Sequence, residues 1–134
     1  MAPGRRSLWG FSLIELLVVL VVLGILMSVA VPAVFGARRR SFDVAAMAYL
    51  RQAVAAEEAY AGEHGDYAAD LAGLRAMGLR SPAPGLDLVV LRGGRSYCLL
   101  ARHRRGSLWY AASSQKGLYP TARPARSGPG SDCP

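Results

Sequence analysis

Apolar residues near the N-terminus form one continuous run. Residues 16–36 include no charged side chain, and apolar residues cover every side of a helix drawn through them. At about 1.5 Å of rise per residue, such a helix is roughly 30 Å long, which matches the hydrocarbon core of a bilayer. The pattern therefore predicts a membrane-spanning helix.

After this run the apolar positions recur every three or four residues, which is typical of an amphipathic helix. The stripe consists of Ala46, Tyr49, Ala53, Ala56 and Tyr60, with Met47, Leu50 and Val54 beside it. We expect Gly62 and Gly65 to end this helix, and Glu57, Glu58 and Glu63 to form a solvated face. Its apolar stripe needs a partner surface.

The C-terminal half changes to short runs rich in Leu, Val, Tyr and Trp. A short helix is expected over residues 70–77, and strands over 86–91, 96–102 and 108–112, with a fourth strand near 118–119. The turn signals between the strands are Gly93-Gly94 and Arg105-Gly106-Ser107. An antiparallel sheet of three to four strands needs one face covered, and the amphipathic helix is available to cover it. The predicted fold class is α+β.

One carboxylate interrupts the beginning of the apolar segment. Glu15 lies four residues after Phe11, directly before the uncharged run. An ionised side chain inside a bilayer costs a few kcal/mol even on lenient insertion scales, so such residues usually have a partner or a function. Glu15 is therefore the first candidate for a functional residue.

The residues around Glu15 resemble a known processing signal. A short basic leader ends at Gly10 and is followed by Phe11, Ser12, Leu13, Ile14 and Glu15 and then by about twenty apolar residues. This pattern resembles the class III signal of type IV pilins and pseudopilins. The resemblance implies that a prepilin peptidase cleaves between Gly10 and Phe11 and methylates the new amine. Gly24 and Pro32 match the helix-loosening glycine and proline of that family.

This resemblance implies a filament subunit and a division of the chain. The Phe11 amine of one subunit would neutralise Glu15 of its neighbour, so copies of the chain assemble in one axial register. The expected partners are the chain itself, the prepilin peptidase, the inner-membrane assembly platform and the membrane. The expected parts are a leader (1–10), an assembly helix (11–36), an amphipathic continuation (37–62), a connecting loop with a short helix (63–85), and a sheet with a C-terminal disulfide loop (86–134).

Two other fates of the segment stay open. Ser28-Val29-Ala30 is a small-x-small site at which an ordinary signal peptidase would release a secreted protein. The segment would otherwise be an uncleaved anchor. Counting arginines on its two sides predicts that the C-terminal side is cytoplasmic. The pilin resemblance implies the opposite orientation, with the leader in the cytoplasm and the remainder exported into an extracellular filament.

The charge of the chain raises a second hypothesis about partners. The formal net charge is +7, and it becomes +5 once the leader arginines Arg5 and Arg6 are removed. Arg102, Arg104 and Arg105 flank His103, so nucleic-acid phosphates are a candidate ligand, although a solvated hairpin tip is the favoured explanation of the cluster. We expect no cofactor, no metal site and no enzymatic activity, because no histidine or ligand cluster accompanies the carboxylates.

The two cysteines are the last candidates. Cys98 and Cys133 lie in the part expected outside the cytoplasm, where a disulfide is the simplest pairing. A C-terminal disulfide loop is similar to that of type IV pilins, whereas pseudopilins more often lack one. The sequence therefore predicts a structural subunit of a type IV pilus-like filament. A type II secretion pseudopilin and an anchored or secreted nucleic-acid-binding module are the alternatives.

Overall fold

The computed structural model describes residues 10–122 and Cys133. The predicted leader, apart from Gly10, and most of the predicted C-terminal loop lie outside the described residues. The chain divides into two compact units, residues 1–36 and 37–134. We call the second unit the head.

Two helices precede the sheet. Helix α1 covers Leu13–His64 and includes Pro32. Gly62 lies inside the last turn. Gly65, which follows the helix, adopts a φ of 83° that favours glycine, and it ends the helix. Helix α2 covers Leu71–Ala76, because Asp70 is its N-cap and accepts a hydrogen bond from the Gly73 N–H at 3.0 Å.

Four strands form an antiparallel meander in the order β1-β2-β3-β4. Their bounds are β1 Leu86–Arg92, β2 Cys98–His103, β3 Trp109–Ser113 and β4 Gly117–Thr121. This confirms the α+β class, and the fourth strand is a full member of the sheet. Gly93-Gly94 is not a tight hairpin turn. Gly94 instead pairs with Tyr67, whose N–H donates to the Gly94 carbonyl at 2.8 Å, so the connection between β1 and β2 is longer than predicted.

Both faces of the sheet carry buried apolar residues. The face toward helix α1 meets the predicted stripe, including Ala46, Leu50 and Ala53, with Leu99 and Ala101 of β2 beneath it. The opposite face holds a second buried cluster, which consists of Leu91, Cys98, Leu100 and Ala111 with Cys133 packed against it. Residues of one strand alternate between these faces, as the period of two requires. The sheet is therefore covered on two sides rather than on the one side that the sequence predicted.

Candidate functional site: the assembly segment and the carboxylates of the head

The candidate processing residues lie at the beginning of α1. Gly10 and Phe11 precede the helix, and Phe11 is 73% exposed. The first helical bond runs from the Leu16 N–H to the Ser12 carbonyl at 3.2 Å, so Ser12 is at the N-cap and Glu15 is three residues later. This Ser-x-x-Glu spacing is that of a capping box, and an acidic residue in the first turn also favours the positive end of the helix dipole. Glu15 thus suits the first turn of the helix by its spacing and its charge, a local preference that the sequence reading missed.

The surface after Glu15 is apolar and exposed. Helix α1 is long and apolar enough to cross a membrane, with a mean hydropathy of 2.9 over its best window and none of that window buried in the subunit. The side chains at Leu17, Leu20 and Leu26 are each more than 60% exposed. An apolar surface of this kind is stable only in lipid or against other helices.

Three residues at four-residue intervals weaken one side of this helix. Gly24 has the lowest helix propensity after proline, and Pro32 has no N–H to donate to the carbonyl of Ser28. Between them, the Ser28 hydroxyl donates to the Ile25 carbonyl at 2.7 Å, a back-bond that slightly destabilises helices. Gly24, Ser28 and Pro32 lie on one helix face because they are spaced by four. Sequence reasoning identified the glycine and the proline but missed the serine.

Asp43 attaches the head's helix to the turn between β2 and β3. Its side chain is 6% exposed and accepts hydrogen bonds from the Ser107 N–H at 2.8 Å, the Ser107 hydroxyl at 2.6 Å and the Leu108 N–H at 3.2 Å. Three donors satisfy a buried carboxylate that would otherwise be costly. The sequence reading missed this residue. The available signal was its place three residues before Ala46, in register with the apolar stripe.

Glu57 is buried, so its assignment to a solvated face was wrong. It is fully inaccessible, and its Oε2 accepts the Ala68 N–H at 2.9 Å, while its Oε1 has no partner among the described residues. Burial raises the pKa of Glu57 to about 7; the Ala68 bond opposes this shift and the charge of Glu58 adds to it. Glu57 continues the stripe four residues after Ala53, and it holds the loop that pairs with Gly94.

The basic residues around His103 have partners within the head. Arg102 lies over the Trp109 ring at 5.1 Å, and Arg104 pairs with Asp87 at 3.4 Å. His103 is only 7% exposed, so it belongs to the interior and not to a solvated tip. Arg102 and His103 are neighbours in a strand and therefore point to opposite faces. Arg102 and Arg104 thus each have a partner within the head, and contact of the cluster with nucleic acid stays an untested prediction.

The two cysteines are joined. Cys98 of β2 and Cys133 form a disulfide with 5.6 Å between their Cα atoms, and the Tyr119 hydroxyl lies 3.5 Å from the Cys133 sulfur. Cys98 is 1% exposed, in the second apolar cluster. The bond attaches the C-terminal end of the chain to an inner strand across 35 residues of sequence.

Comparisons with known proteins agree with these features. The prokaryotic N-terminal methylation motif matches residues 10–31, which contain Gly10, Phe11, Glu15 and Gly24. The type IV wide pilus major component PilA4 of Thermus thermophilus is 38% identical over 130 residues, which are 96% of this chain and 99% of that protein. The similarity extends through the head and is not limited to the signal, which confirms the family predicted from the N-terminal residues. The chain therefore belongs to the type IV pilin family.

Proposed function

We propose that the protein is a structural subunit of a type IV pilus-like filament, cleaved after Gly10 by a prepilin peptidase and polymerised through the first part of α1. The observation that carries this proposal is Glu15, an exposed carboxylate at the start of an otherwise uncharged apolar segment. The pilus is favoured over a secretion pseudopilus because the similar Thermus protein is a pilus component and because the head holds a disulfide.

In this proposal the charge on Glu15 selects the register of assembly. Cleavage would give Phe11 a free amine four residues away along the chain, and the amine of one subunit would meet Glu15 of another. Opposite charges attract more strongly in a low dielectric than in water, whereas an unpaired buried charge is heavily penalised. Subunits that are shifted along the axis would leave both charges unpaired. Gly24 and Pro32 would let the helix adapt to its neighbours.

The remaining parts follow the division expected from the sequence. Residues 1–10 would be a cytoplasmic leader, and residues 11–36 would hold the subunit in the inner membrane before the assembly platform extracts it. The head would then face outward in the filament, with the C-terminal disulfide loop as part of its surface. The similarity to a structural pilin supports a role in assembly rather than in catalysis.

The Ser-x-x-Glu spacing provides a sharp test of the Glu15 pairing. Glu15→Gln keeps the Ser-x-x-Glu/Gln spacing but removes the charge, and Ser12→Ala removes the nearby hydroxyl but keeps the charge. Removing one partner of a buried ion pair typically costs about 3–5 kcal/mol, so the Gln variant should lose surface filaments in cells while its membrane level stays normal. The Ala variant should still form them.

Two results would contradict the proposal. One is normal filament formation by Glu15→Gln. The other is a mature N-terminus, read by mass spectrometry, that is not methylated Phe11. A chain starting at Val31 would instead indicate ordinary secretion, and one starting at Met1 or Ala2 a fixed anchor.

A further inference from the structure

Two segments of the head present five exposed arginines near the point where the apolar segment ends. Arg38, Arg39 and Arg40 belong to α1, while Arg104 and Arg105 belong to the turn after β2. No carboxylate among the residues that the structure describes forms an ion pair with the three helical arginines. Arginine triplets usually flank the cytoplasmic end of a membrane helix, yet the family orientation puts this end outside. Their presence there needs another explanation.

Specific contacts hold the turn against the helix. The rings of Phe42 and His103 stack with centroids 4.4 Å apart, and the Arg105 N–H donates to His103 Nδ1 at 3.1 Å. Asp43 accepts the Ser107 N–H and hydroxyl of the same turn. Arg38 precedes Phe42 by four residues, and Arg39 precedes Asp43 by four. Both arginines therefore lie on the helix face that contacts the turn. The two basic segments therefore form one surface, which we call the basal surface.

This surface includes a cleft of suitable size and charge for a phosphate group. The cleft has a volume of about 360 Å³ and is lined by Phe42, Pro84, Gly85, His103, Arg104 and Arg105. The nearby carboxylates are Asp43, which is occupied by the turn, and Asp87, which pairs with Arg104 on an exposed side. Five arginines against two carboxylates leave an excess of positive charge. Guanidinium groups bind phosphate through paired N–H donors.

The position of the cleft along the chain indicates which phosphates it meets. Gly36, which ends the uncharged segment, and Arg38 both lie in α1, about 3 Å apart along the helix axis. Phe42 follows after four helical residues, or about 6 Å. Phe42, at one side of the cleft, is thus about 9 Å along the helix from the end of the segment, a distance comparable to the Debye length of about 8 Å at physiological salt. Because nucleic acid would have to approach an anionic bilayer surface to reach it, lipid headgroups are the favoured ligand.

We propose that the basal surface binds the anionic phosphate headgroups of the bilayer in which the unassembled subunit is held. This inference rests on the proposed function, because it requires the segment to be in a membrane. Binding would orient the head at the bilayer surface before assembly, and the contact would be released when the subunit is extracted. The ligand class is an anionic phospholipid such as phosphatidylglycerol.

The test uses the full chain in bilayers of phosphatidylcholine with spin-labelled lipids. Electron paramagnetic resonance compares the association of labelled phosphatidylglycerol with that of labelled phosphatidylcholine. Arg104→Gln/Arg105→Gln should reduce the preference for phosphatidylglycerol roughly fivefold for each arginine removed. Arg75→Gln/Arg95→Gln makes the same charge change at exposed positions elsewhere on the head and should retain the wild-type preference. Added salt should weaken the wild-type preference.

The outcomes separate this inference from the proposed function. A wild-type preference in the Arg104/Arg105 variant, with an unchanged near-UV circular dichroism spectrum, would overturn the headgroup site. So would displacement of the labelled lipid by micromolar duplex DNA, which would indicate a nucleic-acid surface. If the variant misfolds, Arg38→Gln/Arg39→Gln applies the same test on the helix. A chain that does not enter the bilayer would contradict the proposed function instead.

Discussion

Replacing Glu57 by glutamine should change how the stability of the head depends on pH. The pKa of the carboxyl is about 7 in the folded head, against an ordinary value of 4.5 that applies to an unfolded chain. Between these values the folded state binds more protons than the unfolded state, so stability falls as pH rises. The contribution of the protonated Glu57 to the free energy of unfolding is fully present below pH 4.5 and is lost once pH exceeds 7. Each pKa unit corresponds to about 1.4 kcal/mol, so the loss is about 3 kcal/mol.

Glutamine removes this dependence without removing the hydrogen bond. Its carbonyl oxygen can accept the Ala68 N–H as Oε2 does, and the amide does not ionise. The variant should therefore unfold at a temperature that is nearly flat between about pH 4.5 and 8. For a domain of this size 1 kcal/mol corresponds to about 4–8 °C, so the wild type should lose about 12–24 °C over the same range through this group. Above about pH 7 the variant should be the more stable protein.

The measurement is thermal unfolding of the detergent-solubilised full chain, followed by near-UV circular dichroism. This signal reports aromatic packing near the site, including Tyr67 and Tyr97, whose rings meet edge to face at 4.9 Å. The matched control is Glu63→Gln, the same substitution at an exposed position of the same helix, and its profile should follow that of the wild type. Parallel profiles for the Glu57 variant and the wild type would refute the assignment of a buried, proton-binding carboxylate.

Two further predictions concern the hydrogen bonds of Asp43 and the disulfide of the head. Asp43→Ala leaves the part-buried N–H groups of Ser107 and Leu108 without their acceptor and should cost about 1–3 kcal/mol in urea unfolding, whereas Ser107→Ala should cost less. Equal losses would show that the carboxylate is not the main acceptor. Reducing the bond between Cys98 and Cys133 should lower the free energy of unfolding by about 4 kcal/mol, because it opens a 35-residue loop. An unchanged urea midpoint in dithiothreitol would contradict this value.

Features that depend on local spacing could be predicted from the sequence. The uncharged run, the three- and four-residue stripe of α1 and the alternation of the strands each arise from residues close in the chain. The limits of the short helix were less accurate, because Asp70 and Met77 are caps and not helical residues. Helix caps and strand ends depend on a single residue each, so a pattern averaged over several residues misplaces them by one or two positions.

The charged residues of the head were the least predictable. Glu57 and Asp43 occupy stripe positions, yet carboxylates at such positions are normally read as exposed. What makes their burial tolerable is hydrogen bonding to N–H groups that lie 11 and 64 positions further along the chain. No local pattern contains that information. His103 was misread for the same reason, since it is buried by stacking on Phe42 of a distant helix.

The sequence by itself determined that the first segment is long and apolar enough to cross a membrane, that it carries the N-terminal methylation motif with its carboxylate, and which elements form the head, because each depends on residues near one another in the chain. The tertiary structure alone decided which carboxylates are buried, that both faces of the sheet are covered, and that two basic segments share one surface. Those outcomes depend on contacts between residues far apart in sequence, and only the packing of the helix on the sheet brings these residues together.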